Sequence, residues 1–440
     1  MRKHRDRVCG ADVHKDLIVA TIRVRDEAEI RASFGTSPPE LKRFKDWLIS
    51  NDCEQVAFEA TGVYWIPIYE ALKESIDTIV ANPYQIKSIP NDKSDAKDAD
   101  RISEYCMNGM IKRSRVFSQS DRDLRTLTRT RSSYVKMRTQ LKNRIHKHLS
   151  SCGIKLSSCI VDIFGKSGRH ILNGLVSGTE TSDIIKSIPS AVIRKKEDLI
   201  RVSISKGLDK LTKVLVSDLI DFLDSIESKI EATSRMIAEM LQPKSKDLAI
   251  VMSIPGIGFV AGATILAEIG NYRDFDTPEK LTKWSGLNPG ENESAGKKKS
   301  SGITKRGSKY LRTILVEVAH VIARNGNSRL SRYFKRLRAR KNYNVAVIAL
   351  ARKLLHLVYH LLTNQELYQE EDYEIKKQSS AGPYPDAQSS SAESLDDKVA
   401  AIVDAFYSLK SYNGKSVLRK LSRASQRSGL SSRRLSDGGG

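Results

Sequence analysis

Residues 7–24 read RVCGADVHKDLIVATIRV. Apolar and β-branched residues dominate both halves of this stretch, with a polar step between them, which predicts two strands joined by a turn. A helix is predicted over 39–49, and apolar runs at 55–60 and 76–80 are typical of short strands. A strand-rich start followed by alternating helices and strands predicts a mixed α/β domain over residues 1–112.

The chain after this domain is predicted to be largely helical. Apolar residues recur every three or four positions over 121–150 and again over 208–241, a spacing typical of helices that pair along a coiled-coil seam. The second seam is predicted to comprise Leu208, Leu211, Leu215, Leu219, Phe222, Ile226, Ile230, Ile237 and Leu241. Two such helices can pair within one chain or between chains. The serine-rich segment 151–205 has no clear period and receives no assignment.

The predicted domains are 1–112, a coiled-coil helical middle at 113–245, a helical domain at 246–362 and a tail at 363–440. In the third domain, SIPGIGFVAGATILAEIG (253–270) predicts a helix-hairpin-helix-like element with a Pro-Gly-Ile-Gly turn. The backbone N–H groups that begin its second helix can hold a phosphate, and a purely structural turn explains the pattern equally well. The tail combines an acidic cluster, a low-complexity linker and a basic end.

The charge of the chain points to a polyanionic partner. Its 440 residues include 74 Lys and Arg against 52 Asp and Glu, a net charge of +22. Nucleic acid is favoured over a membrane, since no anchor is evident and the uncharged stretch between Asp247 and Glu268 is broken by proline and glycine. Five scattered cysteines without a C-x-x-C pair, and no visible secretory signal, predict reduced thiols in a cytosolic protein.

Four carboxylates lie in or beside the predicted elements of the first domain: Asp12 in the first strand, Glu59 at the end of a later strand, and Asp95 and Asp98 on one face of a predicted helix. Such oxygen ligands suit Mg²⁺ or Mn²⁺. Two such ions can clamp the entering and leaving oxygens of a phosphodiester. A single aspartate is more often a cap or a solvated charge, and Asp92 and Asp100 are rival ligands nearby.

A cationic segment follows WSGLNP (284–289) in the third domain. Seven Lys and Arg and four Ser fall within 294–312, which predicts a flexible loop over 289–308 that contacts phosphates. Its serines Ser294, Ser300 and Ser301 are potential nucleophiles, but a serine hydroxyl requires activation and no histidine lies close in sequence. The pattern alone therefore leaves the choice among them open.

Three motifs of the first domain, GADVHKD (10–16), EATGVYW (59–65) and KSDAKDAD (93–100), resemble in order the DEDD signatures of the IS110 family of insertion-sequence transposases. SIPGIG, WSGLNP and GITKRGSKYLR resemble the C-terminal transposase domain of that family. The resemblance implies an RNase H-like (RuvC-like) first domain that binds Mg²⁺ or Mn²⁺ through Asp12, Glu59, Asp95 and Asp98. It leaves Asp100 outside this tetrad, solvated or paired with a basic neighbour.

The resemblance also implies that Ser294 is a catalytic serine. It would attack a DNA phosphodiester and form a covalent phosphoserine link, in a composite site with the metal-bound carboxylates. Basic side chains expected to contact nucleic acid are Arg125, Arg129, Lys142, Arg144, Lys297, Lys298, Lys299, Lys305, Arg306, Lys309 and Arg312. The implied partners are donor and target DNA and a guide (bridge) RNA.

The predicted function is thus a DNA transposase in the cytoplasm of a prokaryote, associated with the nucleoid. Recombination of two duplexes predicts a homodimer or homotetramer. Two alternatives stay open from the sequence. One is a metal-only nuclease that resembles a junction resolvase, in which Ser294 is incidental. The other is a catalytically inactive protein that binds RNA or DNA through its basic helices.

Overall fold

A computed structural model describes residues 5–370 except 26, 61, 84–85, 87–94, 295–296, 306, 325 and 327, together with 396, 397 and 400. For 95–97, 291–294, 297–299, 300 and 301 it describes the backbone alone. The chain divides into two compact units, Met1–Phe117 and Ser118–Gly440, called here the N-terminal unit and the helical unit. Most of the predicted tail at 363–440 lies outside the described residues.

The N-terminal unit contains a five-stranded mixed sheet of order β3-β2-β1-β4-β5. The strands are β1 (Arg7–Val13), β2 (Leu17–Val24), β3 (Ile30–Gly35), β4 (Gln55–Glu59) and β5 (Asp77–Ala81). The first three are antiparallel neighbours, whereas β4 runs parallel to both β1 and β5. The mixed α/β prediction is confirmed. The edge strand β3 was not predicted, because most of its side chains are only partly buried and its sequence lacks an apolar run.

Helices cover both faces of this sheet. One face packs against α1 (Pro38–Ser50) and α2 (Trp65–Leu72), with Phe44, Leu48 and Phe58 fully buried in that layer. The other face packs against α3 (Asp95–Met107), where Ile102 meets Val8. Because strand side chains alternate between faces, every second residue of β1 and β4 lies under α3.

The two longest described helices of the helical unit are α4 (Gln119–Ser151) and α10 (Lys210–Leu241). They are antiparallel, since Arg131 bonds Ser234 while Lys142 lies 3.9 Å from Glu227. The predicted pairing therefore occurs within the chain.

The predicted seam of α10 is wrong at three positions of its first half. Leu211, Leu215 and Phe222 are 67%, 38% and 59% exposed, whereas Leu208 is buried as predicted and Leu219 is partly buried against the core. The buried face of this half comprises Thr212, Val216, Ile220 and Leu223. Packing within the core that α10 shares with α4 buries this second set of positions rather than the leucine-rich one. Beyond it the predicted positions 226, 230, 237 and 241 are buried as expected.

The unassigned segment 151–205 forms five short helices. These are α5 (Leu156–Cys159), α6 (Lys166–Ser177), α7 (Thr181–Lys186), α8 (Ala191–Arg194) and α9 (Glu197–Ile204). They share one core with α4 and α10, in which Ile145, Ile171 and Ile200 are fully buried. Serines interrupt the apolar spacing in this segment, so periodicity does not predict its helices. The segment is instead held by buried apolar residues, mainly isoleucines.

The remaining elements form a second core with the other ends of α4 and α10. They are α11 (Ser245–Met252), α12 (Phe259–Ile269), α13 (Pro278–Ser285), β6 (Pro289–Ser294), β7 (Lys297–Ile303), α14 (Lys309–Arg324), α15 (Arg329–Arg338) and α16 (Tyr343–Asn364). Turns of 3₁₀ helix occupy Gln242–Lys244 and Tyr272–Asp274. The predicted hairpin at 253–270 corresponds to α11 and α12, which pack closely at Gly262. Leu124 and Leu241 belong to this core together with Leu350, so α4 and α10 link both cores.

The flexible loop expected over 289–308 is wrong for most of its length. Residues 289–294 and 297–303 pair as an antiparallel hairpin. Its register sets Glu293 opposite Lys298, and opposite charges at facing positions stabilise such a pair. Charge density alone therefore misled the prediction, because it ignored the acidic residues on the preceding strand.

One helix among the described residues, Tyr343–Asn364, is long and apolar enough to cross a membrane. Nine of its residues, between Ala346 and Leu362, are buried within the core of the helical unit. This burial explains its apolar composition as that of a core helix.

The five cysteines are free, and four of them are buried. Burial raises the pKa of both Cys53 and Cys106 to about 12. Thiols with such values stay protonated near neutral pH, which indicates a packing role rather than nucleophilic chemistry.

Candidate functional site

Asp12 and Glu59 lie on neighbouring parallel strands at one edge of the sheet. The last registered pair between β1 and β4 is Ala11 with Phe58, and the two acids are each the next residue. Neighbouring parallel strands are about 4.8 Å apart, and residues at equal register point to the same face. That face is the one covered by α3. The fold therefore brings these two predicted ligands side by side.

Gly10 determines how closely α3 approaches the sheet. A Cβ atom at Gly10 would lie 2.2 Å from the backbone nitrogen of Ser103 and 2.3 Å from the carbonyl oxygen of Ala99. These distances are far shorter than any ordinary contact of a side chain. The absence of a side chain at Gly10 thus allows the helix backbone to rest directly on β1.

The direction of α3 brings its first turn to the edge that carries Asp12. Near the other end of the helix, Cys106 contacts Gln55 at the start of β4, so α3 runs antiparallel to β1. From Gly10 to Asp12 the strand advances about 6.5 Å, and four helical residues from Ala99 back to Asp95 span about 6 Å. The first turn of α3 therefore lies level with the two strand acids.

The described carboxylates have polar neighbours of their own. His14 Nε2 lies 3.0 Å from Asp12 Oδ2, and Arg101 Nη2 lies 2.6 Å from Asp98 Oδ1. Among the described side chains, no three acidic, histidine or cysteine groups converge closely enough to hold a metal ion. The side chain of Asp95, a fourth predicted ligand, lies outside that set.

Asp100 is fully engaged by neighbouring strands. Its carboxylate accepts hydrogen bonds from Thr21 at 2.6 Å and from Arg31 at 3.0 and 2.8 Å. The prediction that Asp100 pairs with a basic neighbour is confirmed. The rival Asp92 lies outside the described residues.

Ser294 is the last residue of β6, at the tip of the hairpin. Its register partner is Lys297, whereas Ser300 lies further down β7 opposite Glu291. The two positions between Ser294 and Lys297, and the side chains of both strands near the tip, lie outside the described part of the chain. Lys297, Lys298 and Lys299 are therefore located by their backbone alone.

The root of this hairpin is held by backbone hydrogen bonds. Thr304 N donates to Asn288 O at 3.0 Å, and Lys305 N donates to Gly286 O at 3.2 Å. Lys305 itself adopts a left-handed conformation, with φ of 56°. These bonds join the end of β7 to the WSGLNP motif and so fix where the hairpin leaves the core.

Gly307 and Arg312 complete this root. Gly307 has φ of 105°, and a Cβ there would lie 2.1 Å from the carbonyl oxygen of Trp284, so glycine is required. Arg312 Nη1 donates to the carbonyls of Ser285 and Gly307, each at 3.0 Å. Arg312 is thus already engaged within the protein.

Glu268 on α12 is a fully buried acid that the sequence analysis did not single out. It accepts two hydrogen bonds from Arg129, at 2.7 and 2.9 Å, one from Arg125 at 3.3 Å and one from Ser308 at 2.7 Å. Ser308 Oγ in turn accepts from Leu311 N and so caps α14. This ion cluster, Glu268 with Arg125, Arg129 and Ser308, joins α4 and α12 to the segment that follows the serine hairpin.

The cluster also shifts the pKa of Glu268. Burial alone would raise this pKa, but hydrogen bonds from Arg129 and Ser308 and the charge of Arg125 outweigh burial and lower it. Glu268 therefore stays ionised at neutral pH. A lone acid within an apolar helical run was the available sequence signal, because such a charge requires a buried partner.

Other predicted nucleic-acid contacts differ in their surroundings. Lys142 lies 3.9 Å from Glu227 and 4.8 Å from the ring of Phe164, while Arg144 is exposed on α4. Lys305 and Lys309 are exposed beside the serine hairpin, and Arg306 lies outside the described residues. Contact of any of these side chains with nucleic acid stays a prediction.

Two family models match the chain and cover these regions. A model described as "Transposase", of the IS110 DEDD type, matches residues 9–154, and one described as "Transposase IS116/IS110/IS902 family" matches residues 248–335. With the sheet and acids described above, they define an insertion-sequence transposase with a DEDD domain, for which an RNase H-like fold is expected. The chain belongs to the IS110 family of transposases.

Relatives of similar length support this membership. The chain is 26% identical over 366 residues to the probable family 20 transposase of Pseudomonas aeruginosa, covering 82% of this chain and 94% of that protein. It is 25% identical to the transposase for insertion sequence element IS1111A of Coxiella burnetii, covering 71% and 79% respectively. It is 22% identical to the transposase for insertion sequence element IS1328 of Yersinia enterocolitica, covering 64% and 75%.

Proposed function

We propose that this transposase cuts and rejoins DNA through Ser294 as nucleophile, with a DEDD metal site, and that a bridge RNA selects the DNA. The observation that carries the proposal is the alignment of Asp12 and Glu59 at adjacent strand ends under the first turn of α3. Carboxylates brought to one place by separate elements are expected at a phosphodiester-processing site. We further propose a homodimer or homotetramer, because recombination of two duplexes needs at least two active sites.

The proposed metal ligands are Asp12, Glu59, Asp95 and Asp98, which would hold Mg²⁺ or Mn²⁺. Their fit rests on an all-oxygen donor set, which hard divalent cations prefer. When bound, such an ion supplies stabilisation of charge on phosphoryl oxygens. His14 beside Asp12 and Arg101 beside Asp98 restrict the orientation of these carboxylates. The close approach at Gly10 sets the distance between α3 and β1.

In the proposed reaction, Ser294 Oγ forms a bond to phosphorus and releases its proton to solvent. The bond from phosphorus to one sugar oxygen breaks, and that oxygen takes up a proton from solvent and leaves as a hydroxyl. Rejoining reverses these changes with a different hydroxyl, so the phosphodiester energy is retained. The basic residues of β7, beginning with Lys297 opposite Ser294, would offset charge that develops on the phosphate.

Ser294→Ala is the direct test of the nucleophile. Purified protein, guide RNA and labelled target DNA should yield a protein–DNA adduct that survives denaturation, and the variant should form none. Omitting the RNA should also prevent the adduct. Ser300→Ala, a matched change in the same hairpin, should retain it. Cleavage by Ser294→Ala at the wild-type rate would exclude the serine mechanism and favour a metal-only nuclease.

Asp12→Asn tests the metal site. We expect cleavage to fall by about 100-fold or more, since loss of one ligand forfeits several kcal/mol of charge stabilisation. Asp100→Asn, a change of the same type at an acid engaged by Arg31, should keep most activity. Undiminished cleavage by Asp12→Asn contradicts both catalytic hypotheses. Tight RNA binding without any strand scission across Mg²⁺ and Mn²⁺ concentrations would instead support the inactive binding protein.

A further inference from the structure

A cleft of about 430 Å³ opens in the helical unit between α4, α12 and α14. It is here called the α4–α14 cleft, and its volume is within the range of small-molecule sites. On the side of α4 it is lined by Arg131 and Lys136, here called the basic wall. On the side of α12 and α14 it is lined by Val260, Tyr310 and Ile314, here called the apolar wall, and also by Lys309. The cleft lies beside the ion cluster of Glu268, since Arg129 belongs to both.

Arg131 is the most informative residue of the basic wall. Its Nε donates to Ser234 Oγ at 2.8 Å, and within the described part of the chain no carboxylate forms an ion pair with it. Burial and the nearby charge of Arg138 lower its pKa. A guanidinium has five N–H donors, so Arg131 keeps donors for a ligand. A partly desolvated cation without an acidic partner favours an anion.

The apolar wall is held in place by the ion cluster. Two hydrogen bonds to Glu268 fix Arg129, whose guanidinium lies 4.7 Å from the ring centre of Tyr310. Lys309 Nζ lies 5.4 Å from the same ring. Tyr310 is therefore held in position at the cleft by Arg129 and Lys309, and Val260 and Ile314 line the cleft with it.

The charge balance of the cleft favours an anion with an organic part. Arg129 is compensated by Glu268, which leaves three cations, Arg131, Lys136 and Lys309, against the single lining acid Glu317. An inorganic phosphate would contact the basic wall and make no contact with the apolar wall. A nucleotide satisfies both, because it joins a charged phosphate to a sugar and a flat base.

We propose that the α4–α14 cleft binds one nucleotide of a single-stranded nucleic acid. Its phosphate would lie on Arg131 and Lys136, and its sugar and base against Tyr310. The inference rests on the proposed function, because Lys309 directly follows the segment that roots the Ser294 hairpin. A strand held here would be tethered close to that root. A duplex is too wide for a cleft of this volume.

The test measures equilibrium binding of labelled oligothymidylate, oligouridylate and a duplex to the full chain carrying Ser294→Ala. Arg131→Gln and Lys136→Gln should each weaken single-strand binding about tenfold and lower the slope of log affinity against log salt by about 0.7. Tyr310→Leu should weaken it about tenfold through lost stacking. Lys210→Gln, an exposed lysine at the distant start of α10, should change binding less than twofold, on the order of a surface charge effect.

Several results would overturn the proposal. One is binding by Arg131→Gln and Lys136→Gln that equals the Lys210→Gln control. Another is a loss of duplex binding by the cleft variants that equals their loss of single-strand binding, which would indicate a general electrostatic attraction for nucleic acid. A third is full competition by inorganic phosphate with no effect of Tyr310→Leu, which would indicate an anion site alone.

Lys136 is exposed, so its variant keeps the test valid if Arg131→Gln fails to fold. A preference for DNA or for RNA identifies the strand that supplies the nucleotide and supports the proposal in either case.

The Ser294→Ala background separates this inference from the proposed chemistry. Binding in the cleft needs no serine nucleophile. If protein that retains Ser294 forms no covalent adduct while the cleft variants weaken binding as expected, the serine mechanism is removed and the cleft remains. If cleft variants made with Ser294 intact form the adduct at wild-type level and bind normally, the cleft alone is removed.

Discussion

Gly10→Ala is expected to destabilise the N-terminal unit by about 3 kcal/mol and to lower DNA cleavage by the folded protein about 100-fold. The added Cβ would overlap backbone atoms of Ala99 and Ser103 at 2.2–2.3 Å, and backbone cannot rotate away as a side chain can. To reach an ordinary contact distance, α3 must move away from β1 by more than about 1 Å. Asp98 would move with the helix while Asp12 stays on the strand. Urea unfolding and single-turnover cleavage measure the two effects.

Gly35→Ala is the matched control in the same sheet. A Cβ there would lie 3.1 Å from Cγ of Glu40, the movable part of a side chain, so we expect a cost below about 1 kcal/mol and near-normal cleavage. Equal behaviour of the two variants would show that α3 is not held by the contact at Gly10. A Gly10→Ala protein that is unstable but cleaves normally when folded would contradict the proposed role of α3 in positioning the acids.

Glu268→Gln is expected to destabilise the helical unit by about 3 kcal/mol. The substitution keeps the size of the side chain but removes the charge that compensates Arg125 and Arg129. We place the effect at the lower end of the range for buried ion pairs, because the Arg129 side chain is 36% exposed and can gain water. Thermal or urea unfolding near neutral pH measures the loss. Glu239→Gln, on the exposed face of α10, should change stability by less than about 0.5 kcal/mol.

The same comparison has a defined pH dependence. The pKa of Glu268 is lowered in the folded protein from its ordinary value of 4.5. Its contribution is therefore fully present above pH 4.5 and is lost as the pH falls through the lower folded pKa. The stability difference between wild type and Glu268→Gln should be constant near neutrality and shrink in acid. A difference that grows in acid would show that the carboxylate is not stabilised in its charged form.

Patterns confined to neighbouring residues were predicted well. The polar residues 14–16 between two apolar runs predict the turn between β1 and β2, and the Pro-Gly-Ile-Gly sequence predicts the turn between α11 and α12. Both depend on the local backbone preferences of adjacent residues. The strand β3 and the buried phase of α10 were not predicted correctly. Each depends on which neighbour covers a surface, and periodicity alone does not contain that information.

The candidate site shows the same division. The order of the acidic motifs and of the serine segment is visible in the sequence, and this order is sufficient to indicate the family. The pairing of Asp100 with Arg31 was predicted only as a type of contact, and its partner came from the sheet. Roles for the four proposed ligands and for Ser294 stay predictions that the variants above test.

The sequence by itself determined the mixed α/β start, the helical remainder, the motifs of an IS110-family transposase and an excess of positive charge. Only the tertiary structure decided how individual charges are used. Arg125 and Arg129 meet Glu268, which lies 143 and 139 residues further along the chain, whereas Arg131 on the same helix faces a cleft. The physical reason is that a charge is balanced by whatever lies within a few ångströms in space. Packing of distant helices, rather than local pattern, brings those groups together.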